Sequence, residues 1–263
     1  MTVKLATWNI NSIRLRKENV IKFLKKENID IIFLQETKTI DKFFPESFFY
    51  NYGYTHIYFR GEKSYNGVAV LSKIPFKNKS FHNFCNLKDT RHLKIELINN
   101  IIIHNFYVPA GGDVPDIKLN VKFKHKIDFM NEMIELLKME VSKKNIILGD
   151  FNIAPSENDV WSHKTLLKKV SHTKVETDVF KKLLEKCSYE DIVRKAFNKE
   201  DKIFSWWSYR NKDWKKSNRG RRLDHILVSN NFKKNISNVN IYNHIRGQYK
   251  PSDHVPISIT LKD

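Results

Sequence analysis

The chain has 263 residues, 41% of them hydrophobic, enough to bury a sizeable core, and no apolar run approaches the length that would cross a membrane as a helix. Its 47 Lys and Arg outnumber 29 Asp and Glu, a net charge of +18, which with five Trp points to a polyanion such as nucleic acid; the bland alternative is solvated lysine faces, since the Lys-Lys pairs at 25, 143, 168, 181, 215 and 233 are scattered. Cys85 and Cys187 lie far apart without zinc-ligand spacing, and a strand pattern starts almost at once, so a reducing cytoplasmic setting with no cleaved signal is expected.

Thr2 to Ile10 reads as a strand with a buried end at Trp8, and Asn9 and Asn11 follow at its mouth. Val20, Phe23, Leu24 and Glu27 at helical intervals predict a helix over 13–27, stopped by Asn28. A second buried strand over 30–34 leads to Glu36, whose ordinary reading is a loop acid. Residues 39–56 are irregular and crowded with Phe and Tyr, expected as core or lid. Strands follow over 68–71, 89–97 and 101–107, the last two joined by an Asn99-Asn100 turn. Tyr107 stands at the end of the third, before the loop Pro109-Ala110-Gly111-Gly112. Ile127, Met130, Ile134, Leu137 and Val141 predict a helix over 118–141 whose stripe is core packing.

The segment Asn145 to Pro155 carries the most chemistry. Ile146, Ile147 and Leu148 form a buried strand, Gly149 allows a tight turn, and alternation about Phe151 sends Asp150 and Asn152 the same way. A carboxylate can take a proton from water while an amide orients that water or the developing oxyanion, although an Asx turn would use the same residues. A helix is predicted over 175–186, and His163 and His172 lack interpretable carboxylate neighbours. Phe204-Ser205-Trp206-Trp207-Ser208-Tyr209-Arg210 mixes stacking rings with a base, as nucleic-acid surfaces do; a buried Trp-rich strand is the alternative. A strand over 223–229 contains Asp224, and Asp253-His254 sits in a turn before a last strand over 257–261.

Interleaved strands, few long helices and two hairpin-like stretches favour one domain, 1–263, built as an α/β sandwich of two packed sheets. Asn9, Glu36, Tyr107, Asp150 with Asn152, and Asp253 with His254 all fall at strand ends, the way a sheet scaffold assembles a site. Glu36 and Asp253 offer hard oxygen ligands, so Mg²⁺ or Mn²⁺ is expected and zinc is not.

Six motifs in order, Trp-Asn-Ile-Asn (8–11), Leu-Gln-Glu-Thr-Lys (34–38), Tyr-Val-Pro-Ala-Gly (107–111), Gly-Asp-Phe-Asn (149–152), Arg-Leu-Asp (222–224) and Ser-Asp-His (252–254), resemble the exonuclease III family of DNA-repair nucleases. That family lies within the endonuclease/exonuclease/phosphatase superfamily. The resemblance implies a four-layered α/β sandwich of the DNase I type, two mixed sheets flanked by helices, and metal-dependent phosphodiester cleavage that leaves a 3′-hydroxyl. It implies that Glu36 holds the metal with Asn9 and Asp253 nearby or ligating through water, Asp150, Asn152 and His254 completing the set from which ligands are drawn. Asp150 positions or deprotonates water, Asn152 steadies it, Tyr107 contacts the phosphate, and Asp224 orients His254, which donates to a non-bridging oxygen. Either Asp150 or His254 could be the general base. Trp206, Trp207 and Leu223 would wall a pocket for a base-less sugar, with Arg210 entering the groove of the duplex. Two positions depart from the family pattern: Ala110 is short where relatives often carry a longer polar residue, and Asn11 is neutral where some carry Asp.

The expected function is therefore incision 5′ to abasic sites, with 3′-phosphodiesterase or phosphatase and 3′-to-5′ exonuclease activity, by a monomer on duplex DNA with abasic or blocked 3′ ends and no membrane. A lipid-headgroup phosphohydrolase of the same superfamily and a catalytically silent DNA-binding protein are the alternatives.

Overall fold

The computed structural model describes residues 2–262. In chain order its strands are β1 (Thr2–Asn9), β2 (Ile31–Gln35), β3 (His56–Arg60), β4 (Val68–Ser72), β5 (Phe76–Ser80), β6 (His92–Leu97), β7 (Ile102–Tyr107), β8 (Asn145–Asp150), β9 (Tyr189–Asp191), β10 (Trp206–Trp207), β11 (Gly220–Arg221), β12 (Asp224–Ser229), β13 (Ile236–Ile241) and β14 (Ile257–Lys262). The helices are α1 (Ile13–Glu27), α2 (Glu46–Tyr50), α3 (Val121–Lys138), α4 (His163–Leu166), α5 (Lys174–Lys186), α6 (Ile192–Lys195) and α7 (Trp214–Ser217).

Twelve of the strands form two mixed six-stranded sheets, in the orders β13-β14-β1-β2-β4-β3 and β5-β6-β7-β8-β12-β9, and β10 and β11 pair as a separate two-stranded ribbon. Successive side chains on a strand point to opposite faces, and here both faces are apolar. Val3 and Leu5 of β1, Phe33 of β2, Ile146 and Leu148 of β8 and Ile226 of β12 pack between the sheets. The alternate residues Ala6, Trp8, Ile32 and Leu34 face Val20, Phe23 and Leu24 of α1. On the far side, Ile147 and Leu227 meet Phe129, Met133 and Leu137 of α3 and Phe180 and Leu183 of α5. The result is the expected four-layered sandwich, helix on sheet on sheet on helix.

Several boundaries shift for local reasons. α3 starts after Asn120, whose side chain accepts from Lys122 N, and it stops at Lys138, short of the predicted 141. Gly149 does not end β8 but lies within it: at φ 132° it lets β7 approach so closely that a Cβ there would sit 2.0 Å from Phe106 O. The crowded aromatic segment contains α2, and its rings divide, Phe44, Phe49 and Tyr54 buried and Phe43 and Tyr50 exposed.

Register fixes the site. Across the second sheet, Tyr107 of β7 pairs with Asp150 of β8, and Asp150 pairs with Asp224 of β12, so three predicted site residues form one row. In the first sheet Asn9 pairs with Gln35, whose neighbour is Glu36. The sheets are pinned below that row by Gln35 Nε2 donating to Asn105 Oδ1 at 2.6 Å and Asn105 Nδ2 donating to Leu34 O at 3.0 Å. Polar bridges in an apolar layer specify how the layers are placed, since any slip would leave these donors unpaired. Among the described residues no helix is long and apolar enough to cross a membrane.

Candidate active site

The two rows meet through Asn9, fully buried at the end of β1. Its amide nitrogen donates at 2.8 Å both to Glu36 Oε1 and to Asp150 Oδ2, joining the sheets at the site. Its oxygen accepts from Asn11 N at 3.1 Å, so Asn9 presents its donors to the carboxylates and keeps one lone pair of its oxygen unshared. Tyr107 OH donates to Glu36 Oε1 at 2.9 Å. Burial and the Glu36 charge hold the phenol well above its ordinary pKa, so it remains a donor.

Glu36 is held by Lys38, whose Nζ lies 2.6 Å from Oε2. Burial pushes the Glu36 carboxyl up, but Lys38 and Asn9 outweigh it and keep it ionised below the usual range. Glu36, Lys38, Asn11 and Asn152 all have left-handed backbones, with φ between 47° and 52°. Such conformations gather at functional sites where surrounding structure enforces them.

Asp150 and Asn152 converge, but by a turn and not by strand alternation. Asn152 N donates to Asp150 Oδ1 at 2.9 Å, so the Asx turn and the catalytic arrangement are the same structure. Asn152 Nδ2 donates to Val108 O at 2.9 Å and to Asp150 Oδ2 at 3.3 Å, which suits its oxygen to accept from a water and not to stabilise an oxyanion. Phe151 is buried against α5 through Phe180. Lys126 stiffens this turn: wholly buried, it donates to Asn152 O at 2.7 Å and pairs with Glu176.

His254 Nδ1 bonds Asp224 Oδ2 at 2.8 Å, and its Nε2 faces Asp150 Oδ2 at 3.7 Å. Burial alone would lower the imidazole, but Asp224 and Asp150 more than offset it and raise its pKa to about 10. The same burial, with Asp224 and Glu36 nearby, lifts Asp150 to about 7. His254 is thus an imidazolium at neutral pH and offers a proton, not a lone pair. Its backbone is fixed to β1 by Trp8 Nε1 donating to His254 O at 3.0 Å and by Ser252 Oγ donating to Asn9 O at 2.7 Å. Asp224 N and Leu223 N both donate to Ser205 Oγ.

One oxygen or nitrogen of each of Glu36, Asp150 and His254 lies within 4.8 Å of the others. With His254 charged, the oxygens of Glu36 and Asp150 are the fitting pair, and two carboxylates with open space beside them suit a hard divalent cation. Asp253 is close by and hydrogen-bonded as Glu36 and Asp150 are: Oδ1 accepts from Asn11 Nδ2 and Oδ2 from Trp206 Nε1, both at 3.0 Å.

A cavity of about 340 Å³ opens beside these groups, lined by Glu36, Tyr107, Asn152, His254, Trp206 and Leu223 among others. Trp207 is not part of it. Only 2% exposed, it turns the opposite way to Trp206, donates to Asn218 Oδ1 and packs edge-on to Phe204 and Trp214. Arg221 takes a place on the wall, its guanidinium 5.4 Å over the Trp206 ring and its Nη1 donating to Val170 O and Ser171 Oγ. Arg210 is exposed in the adjoining cleft. Lys38 and Lys126 were given no role from the sequence. A signal existed for Lys126, a charge set on a buried helical stripe between Phe123 and Met130.

A profile of the endonuclease/exonuclease/phosphatase family matches residues 6–254. The chain is 33% identical to an exodeoxyribonuclease III of Haemophilus influenzae over 99% of this chain and 100% of that protein. Among solved structures, a Neisseria 3′ phosphatase, NExo, bound to product DNA hairpin superposes with a TM-score of 0.91 at 28% identity, covering 99% of this chain and 100% of that one. An AP endonuclease from Archaeoglobus fulgidus gives a TM-score of 0.91 at 30% identity with the same coverage.

Proposed function

The chain belongs to the endonuclease/exonuclease/phosphatase family, in its exonuclease III branch, and from that premise we propose that this phosphodiester hydrolase incises DNA 5′ to abasic sites and clears blocked 3′ ends. The observation that carries this is the row Tyr107–Asp150–Asp224, joined through Asn9 to Glu36 and opening on a pocket walled by Trp206 and Leu223. The relatives named above support DNA as the substrate and metal-dependent hydrolysis as the chemistry. Residues 1–263 would act as one domain, a monomer in the cytoplasm.

Asp150 accepts the proton of the attacking water, which the Asn152 amide oxygen holds. The water oxygen bonds to phosphorus as the bond to O3′ breaks. The His254 imidazolium, oriented by Asp224, donates to a non-bridging oxygen and answers the charge that gathers there. Tyr107, whose OH donates to Glu36 at 2.9 Å, contacts the phosphate. A bound Mg²⁺, with Mn²⁺ as a substitute, would be held by Glu36 and Asp150 and would supply positive charge beside the phosphoryl oxygens.

The test is a duplex carrying one tetrahydrofuran abasic analogue, incubated with and without Mg²⁺. A metal-dependent nick 5′ to the analogue that leaves a 3′-hydroxyl is expected, and Glu36→Ala lowers its rate by about 10²-fold or more. An intact duplex under all conditions, or full activity in the variant, would overturn the proposal. The two tryptophans separate cleanly. Trp207→Ala costs about 3–5 kcal/mol of stability, read as a lower Tm. Trp206→Ala leaves Tm nearly unchanged and weakens incision at the abasic analogue.

A further inference from the structure

The cavity beside the catalytic row does not end at Trp206. It shares Asp113, Trp206 and Arg221 with a second cleft of about 680 Å³, lined also by Trp161, Ser208, Arg210, Asn211 and Arg219. The two spaces adjoin across Trp206 and Arg221, so a group held at the catalytic row can extend from the first into the second.

The second cleft has the chemistry to hold a base. Trp161 N donates to Gly220 O at 3.1 Å, and the preceding residue, Val160, bridges to Arg221, so the ring is carried by a fixed backbone next to the pocket wall. Its body packs on the core with Val160 and Leu223, yet the residue remains partly exposed in the cleft. The Arg219 guanidinium lies 5.0 Å over that ring and is exposed, and among the described residues no carboxylate is ion-paired with it. Arg221 over Trp206 repeats the arrangement at the pocket's edge. An exposed arginine over an aromatic face gains little from that contact alone, whereas a base that stacks on the ring as the flexible arginine moves aside would gain from both.

We infer that Trp161 and Arg219 form a base-receiving shelf that takes the unpaired base of a 3′-terminal nucleotide during exonucleolytic removal. The inference rests on the nuclease reading and deepens it: base-less and base-bearing substrates share the catalytic row and differ in the shelf. In the step it serves, water oxygen bonds to phosphorus, the electron pair of the broken bond goes to O3′, which takes up a proton, and the water's proton passes to Asp150. The products are a 3′-hydroxyl strand and a nucleoside 5′-monophosphate.

Single-turnover cleavage of two duplexes decides it, one ending in a mismatched 3′ nucleotide and one carrying an internal tetrahydrofuran. Trp161→Ala and Arg219→Ala lower nucleotide removal by about tenfold or more, leave tetrahydrofuran incision within about twofold, and Trp161→Phe restores most of the loss. Equal loss on both duplexes would make Trp161 a structural residue, and no loss on either would empty the shelf; each result overturns the inference. The same duplexes are also titrated in EDTA by fluorescence anisotropy. If the unaltered protein cleaves neither with Mg²⁺, the nuclease reading fails, and binding still decides the shelf: selective weakening of the mismatched end by Trp161→Ala supports it, and unchanged binding overturns it.

Discussion

Asp150→Asn lowers kcat for incision by about 10³-fold and leaves KM little changed. The side chain is buried in the row, with one oxygen taking Asn152 N and the other meeting Asn9 and, more distantly, His254. An amide of the same size keeps the shape but cannot accept the water's proton. Asp224→Asn tests the other half of the site. His254 keeps its charge to about pH 10 because Asp224 and Asp150 outweigh its burial. A raised pKa means the cation persists below that value, so removing Asp224 moves the loss of charge down into the range nearer the ordinary histidine value. NMR of the imidazole in EDTA would show this: no titration through neutral pH in the unaltered protein, and titration at lower pH in Asp224→Asn. An unmoved titration would mean that Asp224 does not hold the cation.

Arg222→Met destabilises the chain by about 3–5 kcal/mol. The guanidinium is fully buried, donating to both oxygens of Asp159 at 2.7 and 2.8 Å, and lies 2.8 Å from Asp191. Truncation leaves Asp159 with only the more distant Arg194 guanidinium as counter-charge, at 3.6 Å, and Asp191 with only the His225 ring, at 3.6 Å. For a chain of this size, thermal denaturation should show Tm lower by about 10 °C or more. Adding Asp159→Asn and Asp191→Asn removes the stranded charges and recovers part of the loss. A single variant with unchanged Tm would show that water reaches this triad. Because Arg222 directly precedes Leu223 and Asp224, the triad also anchors the pocket wall and the partner of His254.

The row Tyr107–Asp150–Asp224 and its neighbours were legible because β1, β2, β7 and β8 are buried along nearly their whole length and carry mostly apolar residues, so the polar residues at their ends mark strand mouths. Which mouths lie side by side was not legible, since Tyr107, Asp150 and Asp224 are aligned by pairings between strands distant in the chain. The strands without a sequence signal, β3, β5, β9 and β13, are the four outer strands of the two sheets. Edges carry polar and charged residues that discourage pairing with other chains, and that erases the apolar pattern: β5 reads Phe-Lys-Asn-Lys-Ser. The Trp206-Trp207 expectation failed on the same geometry that placed the core, because neighbours on a strand cannot both face one pocket.

The closing of β14 on β1 sets when this enzyme can first work. Trp8 reaches His254 across 246 positions of sequence, and Ser252 reaches Asn9 across 243. Contacts so distant in the chain form late, because the loop between them must be ordered first. During synthesis, the stretch carrying Glu36, Tyr107 and Asp150 emerges from the ribosome long before the histidine that completes the site. The site of a nascent chain therefore stays incomplete until residue 254 has been made and has met Trp8.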